Sequence, residues 1–188
     1  WAYPNISTQN PSHRGWSNIR RVAPRVSSKA LSFGVFMDTS GDIIRELHAR
    51  EALRDLVSSY CRAADNCQTG RLEKLFHPEG LVDSGVIRAQ PKEFSERFVA
   101  WLKQNTVSVF HAICGAQFEV SGDHATGDIQ VLALCQMNPA HGGKRIVTAG
   151  RYADKYVIHE GRWVISERIF GPELSWDFPS PVEPSHGQ

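Results

Sequence analysis

Long apolar runs are missing from this 188-residue sequence, since none approaches the roughly 20 residues that a membrane-spanning helix needs. A strong charge of either sign is missing too, because the formal net charge at pH 7 is +1. This balance argues against a strongly basic nucleic-acid-binding protein. We therefore expect neither a membrane nor a nucleic acid as a partner. The 41% hydrophobic and 22% charged residues are typical of one globular domain with a tail.

Cysteine pairs and metal-ligand spacings are missing as well. The four cysteines show no Cys-x-x-Cys spacing, and the histidines show neither His-x-His nor His-Glu-x-x-His. These absences argue against a zinc site or a thioredoxin-type pair, so we expect no metal. A chain of this length can bury a core without cross-links. Free thiols and a reducing, cytoplasmic compartment are therefore the expectation.

The first 36 residues differ from the rest in charge. Residues 1–36 contain five basic side chains and no acidic one, while the remainder has more acidic than basic residues. Such composition is typical of an organelle transit peptide. The alternatives are translated upstream sequence or a piece of a longer leader, because Met37 opens a domain-like pattern. Binding of a nucleic acid or membrane through this segment is a third reading and predicts strong salt dependence. We assign a domain to 37–171 and an extended, proline-rich tail to 172–188.

Helical spacing of apolar residues begins near residue 42. It predicts a helix of about six turns that ends near Asn66. The buried stripe of this helix comprises Leu53, Leu56, Val57, Tyr60, Cys61 and Ala64. A short second helix is expected over 71–76, stopped by the His-Pro-Glu-Gly sequence at 77–80. A small hairpin over 81–89 and a third helix from Pro91 follow.

After Asn105 the apolar spacing changes to two, which indicates strands. The predicted strands cover 106–114, 117–121, 125–137, 145–158 and 162–170. Three helices followed by a long antiparallel sheet predict an α+β fold with the helices packed on one face of the sheet. Long twisted strands curl, so helices on the concave face enclose a cone with a pocket inside.

Three polar side chains fall where this fold has its interior. His111 lies in a strand with two largely apolar faces, Asp65 lies at the edge of the first helix's buried stripe, and Tyr60 lies within that stripe. Each has a simpler structural role, as a bonded histidine, a helix-end carboxylate or a packed ring. Together they suit a general base. A carboxylate at one imidazole nitrogen fixes the tautomer and raises the basicity of the other, and a tyrosine hydroxyl binds a carbonyl or a leaving hydroxyl.

Six stretches resemble a known family. They are LRDLVSSYCRAAD (53–65), GRLEKLF (70–76), VFHAICG (109–115), FEVSGDHATG (118–127), GRYADKY (150–156) and EGRWVI (160–165). They resemble SnoaL-like domains of the NTF2-like superfamily, in the branch with scytalone dehydratase, hexachlorocyclohexane dehydrochlorinase and bile acid 7α-dehydratase. The resemblance covers about residues 42–170. It implies a cone-shaped α+β barrel with three N-terminal helices on a curved, mostly antiparallel sheet, a cofactor-free lyase and a homotrimer.

The resemblance also assigns residues. Asp65 and His111 match the family's Asp–His base, and Tyr60 matches a tyrosine of the dehydratases. This implies a cofactor-independent dehydratase acting on a small apolar hydroxy-carbonyl compound. Arg168 lies near a C-terminal arginine that binds substrate, and Arg151 is the alternative, both by resemblance.

Two other functions stay open. One is a SnoaL-like isomerase or polyketide cyclase that uses the same base. The other is a non-catalytic ligand-binding or structural subunit, since a fold does not imply a function. Whether Asp65 and His111 face each other in an enclosed pocket discriminates between the catalytic and non-catalytic readings. Asp154 is a further polar candidate, and its simpler interpretation is a residue on the solvent face of its strand.

Overall fold

The computed structural model describes residues 39–179, in which three α-helices combine with one six-stranded sheet. The helices are α1 (Thr39–Asp65), α2 (Thr69–Glu73) and α3 (Pro91–Asn105). The strands are β1 (Phe76–Asp83), β2 (Arg88–Ala89), β3 (Thr106–Ser121), β4 (His124–Met137), β5 (Arg145–His159) and β6 (Arg162–Phe178). Residues 1–38 and 180–188, with the predicted leader and the end of the tail, lie outside this description.

The strand order of the sheet is β2-β1-β6-β5-β4-β3. Every neighbouring pair is antiparallel except β1 and β6, which run parallel. The α+β class and the mostly antiparallel sheet are therefore confirmed. The sheet is curved but does not close into the expected barrel, because β2 and β3 form its two edges. A 16-residue edge strand, β3, must find other partners for the backbone groups that point away from β4.

The helices bury the faces that their apolar spacing predicts. The stripe of α1 from Leu53 to Ala64 is buried, whereas Ile43, Ile44 and Leu47 in its first turns are exposed. Pro91 is the first residue of α3, a position at which a backbone N–H would have no acceptor within the helix, so proline loses no hydrogen bond there. Among the described residues, no helix is both long and apolar enough to span a membrane.

The second helix is shorter than predicted. It ends at Glu73, and the His-Pro-Glu-Gly sequence expected to follow a helix at residue 76 lies in β1 instead. The cause is pairing with a distant strand: Phe76 is opposite Ile165, and the Ile165 N–H donates to the Leu75 carbonyl at 2.9 Å. The prediction for 74–80 is wrong because tertiary pairing outweighs local spacing.

Two strands are longer than predicted. The predicted break at residues 115 and 116 is a bulge within β3, where the register with β4 shifts between Ile113 and Gly115. The last strand passes Phe170 and reaches Phe178, so the segment expected to be tail begins as sheet.

The outward face of the sheet is apolar at one end. Phe110, Leu134, Leu174, Trp176 and Phe178 are exposed there. The expected homo-oligomer stays a prediction. All four cysteines are free thiols. Cys61 is buried, and the other three are partly or fully exposed.

A close approach of two strands gives the first testable prediction. A Cβ at Gly150 would lie 2.6 Å from the Gly171 carbonyl oxygen and 2.6 Å from Cε2 of Phe170. We expect Gly150→Ala to lower the free energy of unfolding by about 1–3 kcal/mol, measured by urea denaturation. Gly70→Ala is the control, since nothing lies within 4 Å of that Cβ. It should be neutral or stabilising by up to ~1 kcal/mol, because alanine favours the helix. Equal losses in both variants would contradict the argument.

Candidate functional site

The end of α1 places Asp65 against the edge of the sheet. Cys67 adopts a positive φ of 51°, a conformation in which non-glycine residues are uncommon. Its N–H donates to the Ala64 carbonyl at 3.0 Å, and the Gln68 N–H donates to the Ala63 carbonyl at 2.8 Å. These bonds end the helix directly after Asp65.

Asp65 and His111 are hydrogen-bonded to each other. The His111 Nδ1 lies 2.6 Å from the Asp65 Oδ1, and the His111 backbone N–H donates to both carboxylate oxygens at 3.2 Å. The His111 side chain is 7% exposed. Because an ionised carboxylate only accepts, the hydrogen is assigned to Nδ1, which leaves the lone pair on Nε2. The same carboxylate thus binds an edge-strand N–H and orients the imidazole.

Tyr60 and Arg168 belong to a second, fully buried cluster. The Arg168 Cζ lies 4.1 Å from the ring centroids of both Tyr60 and Tyr152, two rings that meet edge to face, so the guanidinium contacts two adjoining aromatic rings. Arg168 is 1% exposed. Cation–π contacts of this kind are strongest when the cation is desolvated. The sequence-predicted Tyr60 and Arg168 are therefore in contact with each other.

Asp154 neutralises the buried guanidinium. Its Oδ1 accepts from Arg168 Nε at 2.8 Å, and its Oδ2 accepts from Nη2 at 2.5 Å and from the Tyr156 hydroxyl at 2.6 Å. Asp154 is 3% exposed, so the expectation that it faces solvent is wrong. The signal was in the spacing, because Tyr152, Asp154 and Tyr156 alternate along β5 and share one face.

One nitrogen of Arg168 has no protein partner. Its Nη1 is buried and makes no hydrogen bond within the described part of the chain. Buried donors are nearly always paired, so this N–H is an unusual feature of the interior.

Arg151 lies on the opposite face of β5. It binds Asp128 through Nη1 at 3.0 Å and Glu173 through Nε at 2.8 Å, both on the outward side. Strand alternation separates it from Tyr152 and Asp154. The structure does not bring Arg151 to the cluster that contains Arg168.

Burial sets the protonation of the tyrosines and thiols. Burial raises the pKa of Tyr60 to about 12 despite the opposing charge of Arg168, and it raises the pKa values of Tyr152 and Tyr156 as well. These phenols are donors at neutral pH. Burial, followed by the negative charge of Asp65, raises the pKa of the Cys135 thiol to about 11. Sequence reasoning missed Cys135, which is paired with Val109 two residues before His111.

Two grooves lie near these clusters. One, of about 240 Å³, opens between α1 and β3 and is lined by Val57, Ser58 and Ile113 among others. The second, of about 510 Å³, includes Phe110, Cys135 and Phe178. Neither groove is lined by Asp65 or His111. Among residues 39–179, no group of three or more histidine, cysteine, aspartate or glutamate side chains is arranged to hold a metal ion.

These features define a class of protein: an α+β domain with a curved open sheet, a helix-end carboxylate on a strand histidine, and a buried arginine cluster. Residues 45–169 match the SnoaL-like domain family, and the chain belongs to this family.

Solved structures share the fold. A hexachlorocyclohexane dehydrochlorinase (LinA, type 2) is 22% identical, with 76% of this chain and 98% of that chain covered and a TM-score of 0.67. LinA type 3 from Novosphingobium barchaimii is 23% identical, with 75% and 99% covered and a TM-score of 0.66. An NTF2-like superfamily protein from Salmonella enterica is 13% identical, with 76% and 99% covered and a TM-score of 0.62. No curated protein matches the chain.

The buried ion pair gives the second prediction. Asp154→Asn leaves the Arg168 charge buried without a counter-ion, so we expect a loss of about 3–5 kcal/mol in the free energy of unfolding, measured in urea. Asp128→Asn breaks an exposed pair between β4 and Arg151 of β5 and should cost no more than ~1 kcal/mol. Similar losses would show that Asp154 does not carry a buried charge.

The buried phenols give the third prediction. Since the folded pKa of Tyr60 is about 12 and the model-compound value is 10.0, the unfolded chain loses its proton first as pH rises. Protonated, buried tyrosines therefore stabilise the folded state fully below pH 10. The free energy of unfolding then falls between pH 10 and 12, by about 1.4 kcal/mol per pH unit for each buried tyrosine. Urea midpoints at pH 8–11 and absorbance at 295 nm check this. Ionisation of these phenols near pH 10 in the folded protein would contradict it.

Proposed function

We propose that this protein is a cofactor-independent lyase of the dehydratase type, with Asp65 and His111 as its general base. Its substrate is a small apolar hydroxy-carbonyl compound. The observation that carries the proposal is the 2.6 Å contact between Asp65 Oδ1 and His111 Nδ1, reinforced by the backbone N–H of the same histidine. This double attachment holds the ring with Nε2 as the free base.

The elimination divides its work between the two clusters. His111 Nε2 removes a proton from the carbon next to the carbonyl, and Asp65 stabilises the imidazolium that forms. The C–H electron pair becomes the new C=C bond as the C–O bond breaks, and the hydroxyl leaves as water after taking the proton from the His111 imidazolium, directly or through the Tyr60 hydroxyl, which passes one proton on and regains another. Arg168 Nη1 donates to the carbonyl oxygen, where negative charge develops.

The comparisons support a proton-removing site of this kind. Two of the similar structures are named as dehydrochlorinases, and a dehydrochlorination also removes a proton and a leaving group. The tyrosine at position 60 tilts the proposal towards loss of water, because it matches the tyrosine of the dehydratases. An isomerase or a polyketide cyclase would use the same base without net loss of water.

A non-catalytic role is the second candidate. It is favoured by the close packing of Arg168 against two rings and by grooves that Asp65 and His111 do not line. In that case the two clusters fix the geometry of a binding or structural subunit. Ligand-induced stabilisation without turnover distinguishes this role from the lyase.

The fourth prediction concerns Asp65→Asn. The amide oxygen still accepts the His111 backbone N–H, but the amide nitrogen donates to Nδ1 and forces the ring hydrogen onto Nε2. We expect the fold to survive and turnover to fall about 10²–10⁴-fold. The assay follows conjugated enone formation from a panel of aryl β-hydroxy ketones, together with exchange of the α-proton in D₂O.

The matched control is Asp55→Asn, an exposed carboxylate on the same helix, which should leave turnover unchanged. Normal turnover by Asp65→Asn would remove the dyad from the mechanism. If the wild-type protein neither forms enone nor exchanges the α-proton of any compound that stabilises it, the non-catalytic role is the better description.

A further inference from the structure

We infer that Tyr156 is a positioning residue: its hydroxyl holds Asp154, and through Asp154 it keeps the Arg168 guanidinium in the orientation that leaves Nη1 free. The role of Nη1 as a hydrogen-bond donor to substrate rests on the proposed function. The orientation of the guanidinium is independent of that function.

Three donors converge on the Asp154 carboxylate. Arg168 uses Nε and Nη2, a side-on pairing in which each oxygen accepts one N–H. The Tyr156 hydroxyl adds a third bond, at 2.6 Å, to Oδ2. In this side-on arrangement the remaining nitrogen, Nη1, lies on the far side of the guanidinium from the carboxylate.

A competing arrangement would consume that nitrogen. A guanidinium can also pair end-on with a carboxylate through its two terminal nitrogens. End-on pairing would bond the free Nη1 but would leave Nε without its acceptor, so the two arrangements differ in which buried nitrogen stays free. The carboxylate must rotate to reach Nη1. The Tyr156 bond resists that rotation, because turning the carboxylate breaks a short, buried hydrogen bond.

Glycine at position 127 makes the Tyr156 bond possible. Gly127 is directly opposite Asp154 in the pairing of β4 with β5. A Cβ there would lie 2.9 Å from Cε2 and 3.0 Å from the hydroxyl oxygen of Tyr156, and 3.2 Å from Cδ1 of Phe118. The tyrosine ring therefore lies over a residue without a side chain. Any other residue at this position pushes the hydroxyl away from Asp154.

Simple packing does not account for the tyrosine. Phe118 already contacts the ring edge-on, with centroids 5.9 Å apart, and a phenylalanine at 156 would keep that contact. The hydroxyl donates to Oδ2 of Asp154 at 2.6 Å, a bond that phenylalanine cannot make. Burial raises the pKa of Tyr156, so the phenol stays a donor at neutral pH.

The test compares Tyr156→Phe and Gly127→Ala with the wild-type chain. Nitrogen-15 NMR of the arginine side chains reads the orientation directly, with Arg168 assigned from the signals that Arg168→Lys loses. In the wild type we expect separate Nη signals, because rotation of the guanidinium is blocked. In both variants we expect these signals to merge or disappear.

Leu102→Ala is the control, since Leu102 is buried in α3 outside the core cluster that contains Tyr156. It destabilises the fold but should keep the separate signals.

Turnover of the hydroxy-ketone probes gives the second measurement. We expect kcat of Tyr156→Phe to fall about tenfold, more than in Leu102→Ala, because a charge-assisted hydrogen bond to the carbonyl oxygen is lost. Unchanged Arg168 signals in Tyr156→Phe overturn the inference, whatever the activity. Merged signals in Tyr156→Phe with separate signals in Leu102→Ala support it. This result supports the positioning role of Tyr156 even if the wild type turns over no probe. Absence of turnover would contradict the proposed function and leave the positioning role unaffected.

Discussion

Burying one guanidinium at the centre of the domain constrains most of the residues around it. Taking Arg168 out of water costs several kcal/mol, and the cost is offset only if a counter-charge and good hydrogen bonds are present. Asp154 supplies the charge, and the adjoining rings of Tyr60 and Tyr152 supply a polarisable environment. These contacts join α1, β5 and β6. Gly127 extends the constraint to β4, since it leaves the space that the tyrosine bound to Asp154 occupies.

The helix α1 links this cluster to the sheet edge. It contributes Tyr60 to the buried arginine and, five residues later, Asp65 to His111. A carboxylate at a helix C-terminus is unfavourable for the helix dipole. Here it is compensated because the carboxylate makes three contacts with His111, two with its edge-strand backbone N–H and one with the ring Nδ1. The carboxylate at the helix end therefore accepts the N–H that the sheet edge leaves unpaired. The same carboxylate orients the imidazole.

How far the sequence predicts this structure depends on the range of the interactions. Local spacing predicts α1, α3 and the long strands, because each buries one regular face. It fails at Phe76, where parallel pairing with Ile165 converts an expected helix end into a strand. Asp65 and His111 are predictable from apolar surroundings and family resemblance. Asp154 is not assigned to the interior, because a charged residue on a strand usually faces water. Its alternation with Tyr152 and Tyr156 was the available signal, and its partner Arg168 lies on another strand.

Stability alone does not explain an arginine with an unbonded nitrogen in such a place. Apolar residues of similar volume often replace a buried ion pair at no cost, and a partly satisfied polar network is less favourable than an apolar core. The chain nevertheless keeps Arg168, its carboxylate and a tyrosine on that carboxylate in one fixed arrangement. Local departures from efficient packing are expected where a protein binds or transforms a ligand. An oxygen acceptor presented to Nη1 would complete the network, and in the proposed elimination a carbonyl next to an acidic C–H bond would supply that acceptor together with a proton for His111. The two clusters that α1 connects would then act on neighbouring atoms of one molecule, which is the arrangement that the proposed elimination requires.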